Sequence, residues 1–95
     1  MSSSNRYRLR RLSLLYRELR KGQQEGKLLS CAALQKKINY YIDEDLIVSK
    51  STIEKDLFIL QIDFDIELKS TNRGYMLIEE VDFIERLLNY LKIEL

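Results

Sequence analysis

Four side chains crowd into one short stretch where they could meet a polyanion: Lys50, Ser51, Thr52 and Lys55, with Glu54 beside them. Lysines pair with phosphate oxygens, while hydroxyls and carboxylates match the donors and acceptors on base edges. Such groups act together only when a rigid element holds them on one side. Their neighbours supply that element. Ile53, Leu57 and Leu60 stand at i, i+4 and i+7, which makes one buried stripe of a helix. Ser49 precedes them as a natural N-cap, its hydroxyl placed to accept from an orphan amide one turn in. The spacing predicts a helix over about 50–61, anchored by one face and offering Ser51 and Lys55 on the other. A helix of that kind fits the major groove of DNA. It also fits an ordinary solvated surface helix, so the neighbouring elements must decide.

Upstream, Leu9, Leu12, Leu15, Tyr16 and Leu19 share one face of a helix predicted from Asn5 or Arg6 to Lys21. Arg6, Arg10, Arg17 and Lys21 share the other, with Ser13 between them, as a basic stripe roughly 20 Å long. Gly22 and Gly26 bracket the polar turn Gln23-Gln24-Glu25, which is expected to end that helix. Lys27-Leu28-Leu29 reads as a very short strand. Ser30 then caps a second helix from Cys31 to about Tyr41. Ala33, Leu34, Ile38 and Tyr41 face inward there, and Lys36 and Lys37 outward. Asp43-Glu44-Asp45 is an acidic connector into the helix over 50–61.

Downstream, Ile66-Glu67-Leu68-Lys69 alternates with period two, Ser70 to Gly74 is a turn cluster, and Tyr75-Met76-Leu77-Ile78 is apolar. Residues 66–78 therefore read as a β-hairpin. Gly74 is expected to supply an unusual backbone angle at its turn. A last helix spans about Glu80 to Ile93. Val81, Ile84, Leu88 and Leu91 form its expected core stripe. Phe83, Leu87 and Tyr90 widen the apolar arc beyond what one helix–core contact needs. These three are expected to make a two-fold contact with a second copy, or to dock on an effector domain. The predicted fold is mainly α with a small β-hairpin. Helix, helix, helix, hairpin is the layout of a winged helix-turn-helix over residues 1–79, and residues 80–95 add a C-terminal helix for dimerisation or linkage.

A chain of 95 residues suits one domain, and 45% hydrophobic content is enough for a compact core. No run of about 18 apolar residues suggests a membrane span. Met1-Ser2-Ser3-Ser4-Asn5 lacks the apolar stretch of a signal peptide. The single cysteine, Cys31, can form no internal disulfide and fits a reducing cytoplasm. With no histidine, a structural zinc site is not expected. Neither a Gly-rich phosphate loop nor carboxylates paired in an apolar setting are present, and residues 43–45 lack calcium-loop spacing. An enzyme is therefore not expected, nor a cofactor. The net charge of +1 hides an asymmetry: residues 1–60 hold 12 Lys+Arg against 7 Asp+Glu, and residues 61–95 hold 4 against 8. A chain that separates its charge this way can turn a basic face to a polyanion, although the same charges also solvate helix surfaces. Asp56 is read as a structural partner for an arginine of the first helix. Cys31 is read as a small buried residue, despite a position at a helix start that favours thiolate. Tyr40, Tyr41 and Tyr75 are read as packing residues.

Val48-Ser49-x-x-Thr52-Ile53-x-Lys55-Asp56-Leu57-x-x-Leu60, followed by Gly74-Tyr75-Met76-Leu77, resembles the N-terminal winged helix-turn-helix, of DeoR type, in WYL-domain transcriptional regulators. The family pattern is close to V-S-x-R-T-I-x-R-D-L-x-x-L, with a wing that ends in G-Y-R-L. The resemblance covers roughly residues 6–78. It implies a third helix that reads DNA and a hairpin wing that touches the backbone or minor groove. Lys50, Ser51, Thr52 and Lys55 would then contact bases and phosphates. Lys69, Asn72 and Arg73 would do so from the wing, where the plain alternative is a hairpin tip made soluble by charge. Arg6, Arg10, Lys36 and Lys37 are further phosphate candidates. The chain departs from the family at Ser51, Lys55 and Met76, where the family carries arginine. Arginine forks onto guanine, whereas lysine makes a point contact. The family's large effector domain has no counterpart in these 95 residues. A winged helix can equally serve as a protein–protein interaction module without direct DNA readout.

Overall fold

The computed structural model describes residues 3–42 and 47–94; the acidic connector 43–45 and the Arg6 side chain lie outside the described parts. The first helix, α1, spans Ser3–Glu25 and so runs past Lys21, its expected end. Gly22 continues the helix, and Gly26 stops it. The Gly26 amide donates to the Gln23 carbonyl at 3.1 Å, and the Lys27 amide to the Gly22 carbonyl at 2.8 Å. This nested pair closes a helix on a left-handed residue, and Gly26 supplies the required φ of 68°.

The second helix, α2, spans Cys31–Tyr41, with Ser30 as its cap: the Ala33 amide donates to Ser30 Oγ at 3.1 Å. The third, α3, spans Lys50–Ile62. A hairpin follows, β1 (Leu68–Thr71) against β2 (Gly74–Leu77), antiparallel, with Leu68 opposite Leu77 and Thr71 opposite Gly74. The strands are shorter than the expected 66–78. Ile66 is taken out of the ladder because its amide donates to the Leu60 carbonyl at 3.0 Å, closing the end of α3. The expected strand at Lys27–Leu29 shrinks to one antiparallel bridge, Leu29 with Tyr75. Their amides and carbonyls exchange two bonds, each 2.8 Å. Gly74 sits beside that bridge with φ of 136°, and a Cβ there would lie 2.5 Å from the Leu29 carbonyl. No other residue type fits that approach. The last helix, α4, spans Phe83–Glu94.

The described residues thus make four helices and a two-stranded hairpin. One core joins them. Leu12, Leu15 and Leu19 of α1 meet Leu34 and Ile38 of α2 and Ile53, Leu57 and Leu60 of α3, and Phe64, Ile66 and Leu77 close it. Each such side chain contributes roughly 1.5–3 kcal/mol by leaving water. Tyr75 is half-buried against this core.

The structure corrects the rotation of α4. Phe83 stacks on Tyr16 and Phe64, at 5.0 and 5.4 Å between ring centres, and the buried Tyr90 stacks on Phe64 at 4.7 Å. Leu87 packs on the same core. These three residues, expected to make an outward two-fold or docking contact, face the chain's own core, Tyr90 buried and Phe83 and Leu87 half-buried. Of the expected core stripe, Val81 and Leu91 do pack on the core, whereas Ile84 and Leu88 are 62% and 54% exposed. The cause lies just before the helix. Tyr16 Oη donates to the Val81 carbonyl at 3.1 Å and accepts from the Val81 amide at 3.0 Å, which fixes the entry of α4 over the aromatic rings. No helix among the described residues is long and apolar enough to cross a membrane.

Candidate functional site

The first turn of α3 is positioned from α2. Asn39 grips Val48 with both ends of its amide: Nδ2 donates to the Val48 carbonyl at 3.2 Å, and Oδ1 accepts from the Val48 amide at 3.0 Å. Gln35 Nε2 donates to the same carbonyl at 3.2 Å. Ser49 then caps the helix, its Oγ accepting from the Thr52 amide at 3.3 Å. Ser51 Oγ and Thr52 Oγ1 lie 3.0 and 3.2 Å from Ser49 Oγ, so three hydroxyls cluster at the helix start. Cys31 lies beneath this turn, with Sγ donating to the Lys50 carbonyl at 3.5 Å. Burial pushes its thiol pKa up, Glu54 adds to the rise, and Lys50 opposes it. Cys31 is therefore a buried thiol and not an activated thiolate.

The middle of α3 is held by charge. Arg11 of α1 grips the buried Asp56 in a fork, Nε to Oδ2 at 2.5 Å and Nη2 to Oδ1 at 3.0 Å. The expected partner of Asp56 on the first helix is thus Arg11, which stands outside the basic stripe read from the sequence. A forked pair fixes direction as well as distance. Together with Ile53, Leu57 and Leu60, it sets which way α3 faces.

What α3 presents is mixed. Ser51, Lys55, Phe58 and Ile62 recur at i, i+4, i+7 and i+11, and all four are exposed. They form the centre line of the outer face. Lys50 and Glu54 flank it on one side, exposed, and Thr52 on the other, half-buried. Phe58 and Ile62, at 62% and 63% exposure, were not among the residues singled out from the sequence. The signal was available: both continue the 3.6-residue period that begins at Ser51 and Lys55.

Lys69, Asn72 and Arg73 are exposed on the hairpin, and Asn72 and Arg73 form its two-residue tip. The Arg73 amide donates to Thr71 Oγ1 at 3.1 Å, and that hydroxyl donates to the Gly74 carbonyl at 3.3 Å. The hairpin group and the α3 group are joined through the core beneath them, by the Ile66–Leu60 bond and the packing of Leu77.

The remaining candidates sit on α1 and α2. Arg10 Nη2 donates to the Tyr41 carbonyl at 3.2 Å, at the end of α2. Arg17 stacks over the Tyr41 ring at 4.6 Å. Lys36 and Lys37 are exposed and line a groove of about 440 Å³ with Glu18, Ala33, Tyr40 and Tyr41. Tyr40 is 84% exposed, contrary to the expected packing role, and its ring meets the edge of Tyr41. Glu18 is buried between the two helices, 4.0 Å from Lys21 Nζ. No group of three or more potential metal ligands occurs among the described residues.

Comparison with known proteins adds no relative to this geometry: no family model, no curated protein and no solved structure matches the chain.

Proposed function

We propose that this chain is a winged helix-turn-helix of the kind found in WYL-domain regulators, and that it binds double-stranded DNA with α3 in the major groove and the hairpin as wing. One observation carries the reading. A capped helix, clamped from behind by the Arg11–Asp56 fork, holds Lys50, Ser51, Thr52 and Lys55 on its free side. A helix docked in a groove must keep its rotation while its outer groups find bases and phosphates. The tip residues Asn72 and Arg73 suit a wing that meets phosphates, and the order of elements from α1 to the hairpin agrees with that architecture. With serine and lysine in place of the family's arginines, affinity leans on phosphate contacts and is strongly salt-dependent.

The experiment is selection from a random duplex pool, followed by fluorescence anisotropy at two salt concentrations. A preferred duplex whose affinity falls steeply with salt is expected. Lys55→Ala should weaken the preferred duplex about tenfold and shrink the gap to random DNA, while Arg73→Ala should weaken all duplexes alike. No preference and no salt dependence would refute the proposal.

A second reading is favoured by a specific observation. Phe58 and Ile62 give the outer face of α3 an apolar end, as a protein-binding surface would have. That reading expects Lys50→Ala/Lys55→Ala to keep full activity, with a partner covering α3.

A further inference from the structure

The apolar end of the α3 face has a chemistry of its own. Phe58 lies on the same line as Ser51 and Lys55, one turn further on, and is 62% exposed. The core does not use it: the buried line of α3 runs through Ile53, Leu57 and Leu60. A large ring left in water at the centre of a presented face gains free energy when a partner covers it. In a major groove, the apolar group available to cover it is the C5-methyl of thymine, which unmodified adenine, guanine and cytosine lack.

We infer that Phe58 reads thymine methyl groups, giving the site a preference for A·T pairs beside the bases that Ser51 and Lys55 approach. The inference rests on the DNA-binding reading above and deepens it. Serine and lysine are undemanding readers: a hydroxyl accepts or donates, and an ammonium finds any acceptor. Phe58 supplies discrimination that neither provides. Ile62 continues the same line and extends the apolar contact toward the next pair.

The test uses the tightest duplex from the random pool, remade with each thymine replaced in turn by deoxyuridine, which keeps the pairing and removes only the methyl. With the unmodified protein, one or two replacements should weaken binding about fourfold each, the loss of one buried methyl. Phe58→Ala should bind more weakly and respond less than twofold to the same replacements. Phe58→Leu, which keeps an apolar group, should retain most of the response. Because Phe58 is exposed, these variants should fold as the parent does, which circular dichroism checks. A preferred duplex indifferent to every uracil overturns the inference and leaves the DNA-binding reading standing. A Phe58→Ala protein still sensitive to the methyl overturns it too. No preferred duplex at all overturns both.

Discussion

α3 and α4 are of similar length, 13 and 12 residues, and each turns a stripe spaced i, i+4, i+7 toward the same core. They are held by different forces. α3 has a side-chain cap, a fully buried aliphatic line and a buried forked ion pair. α4 also has a side-chain cap, the Glu85 amide donating to Asp82 Oδ1 at 3.2 Å, but its anchor in the core is ring stacking of Phe83 and Tyr90 with one tyrosine hydroxyl before it, and its ion pair, Arg86 with Asp65, is exposed on the Asp65 side. The buried two-pronged ion pair is what sets α3 apart, and it fixes the direction in which that helix faces. A helix that must present a fixed set of groups is better served by the first kind of anchor, and the candidate site lies on that helix.

The largest effect that could break this comparison comes from removing one half of the fork. Arg11→Met leaves Asp56 charged and buried, and urea unfolding should report a loss of about 3–5 kcal/mol. Adding Asp56→Leu should restore most of it, because two apolar groups replace a buried pair at little cost. A single-variant loss below about 1 kcal/mol would mean that the fork does not anchor α3.

A smaller pair of substitutions sharpens the account of α4. Tyr90→Ala should cost about 3 kcal/mol as a large aromatic leaves the stack. Ile84→Gln, on the exposed side, should stay within about 0.5 kcal/mol. The reverse order would return α4 to the rotation that its spacing alone suggests.

The smallest effect concerns pH and should touch α3 alone. The Cys31 thiol is raised in the folded state, so its contribution is complete below the ordinary thiol range and is lost as pH rises through the folded value. Unfolding midpoints of the parent chain and of Cys31→Ala, compared from neutral to alkaline pH, should diverge only at the alkaline end, with the parent falling faster. Parallel curves would remove Cys31 from the support of the first turn.

The same contrast explains what was legible in the sequence. α3 could be oriented from its residues because Ile53, Leu57 and Leu60 make one stripe and Ser49 marks its start, although Phe58 and Ile62 leave the outer face mixed. Asp56 could be assigned an arginine partner, but not Arg11 by name, since several arginines of α1 lie within one turn of the right place. α4 carries Phe83, Ile84, Leu87, Leu88, Tyr90 and Leu91, an apolar arc nearly half of its circumference and wider than one core contact needs. Its rotation is decided by Tyr16 and Phe64, far away in sequence, and period alone cannot supply that. The end of α1 failed for a local reason: Gly22 resembles a stop, while the residue that satisfies the terminal carbonyls is Gly26. Phe58 was passed over because a reading of charge skips an aromatic.

The reciprocal bonds between Leu29 and Tyr75 have a consequence for how the chain assembles. They buckle residues 30–74 into one closed loop that contains α2, α3 and most of the hairpin. Closing a loop of that length costs about 3 kcal/mol in chain entropy beyond a constant term, so it pays to form it only after the contents have packed. The buckle should therefore be among the last contacts made and should open only when the whole loop does. Hydrogen exchange tests this directly. The Leu29 and Tyr75 amides should exchange at the rate of global unfolding, together with the buried line of α3, and faster local exchange would show a buckle that frays by itself. Fastened this way, the hairpin tip and the outer face of α3 belong to one sealed segment, and they should keep or lose their mutual geometry in a single step.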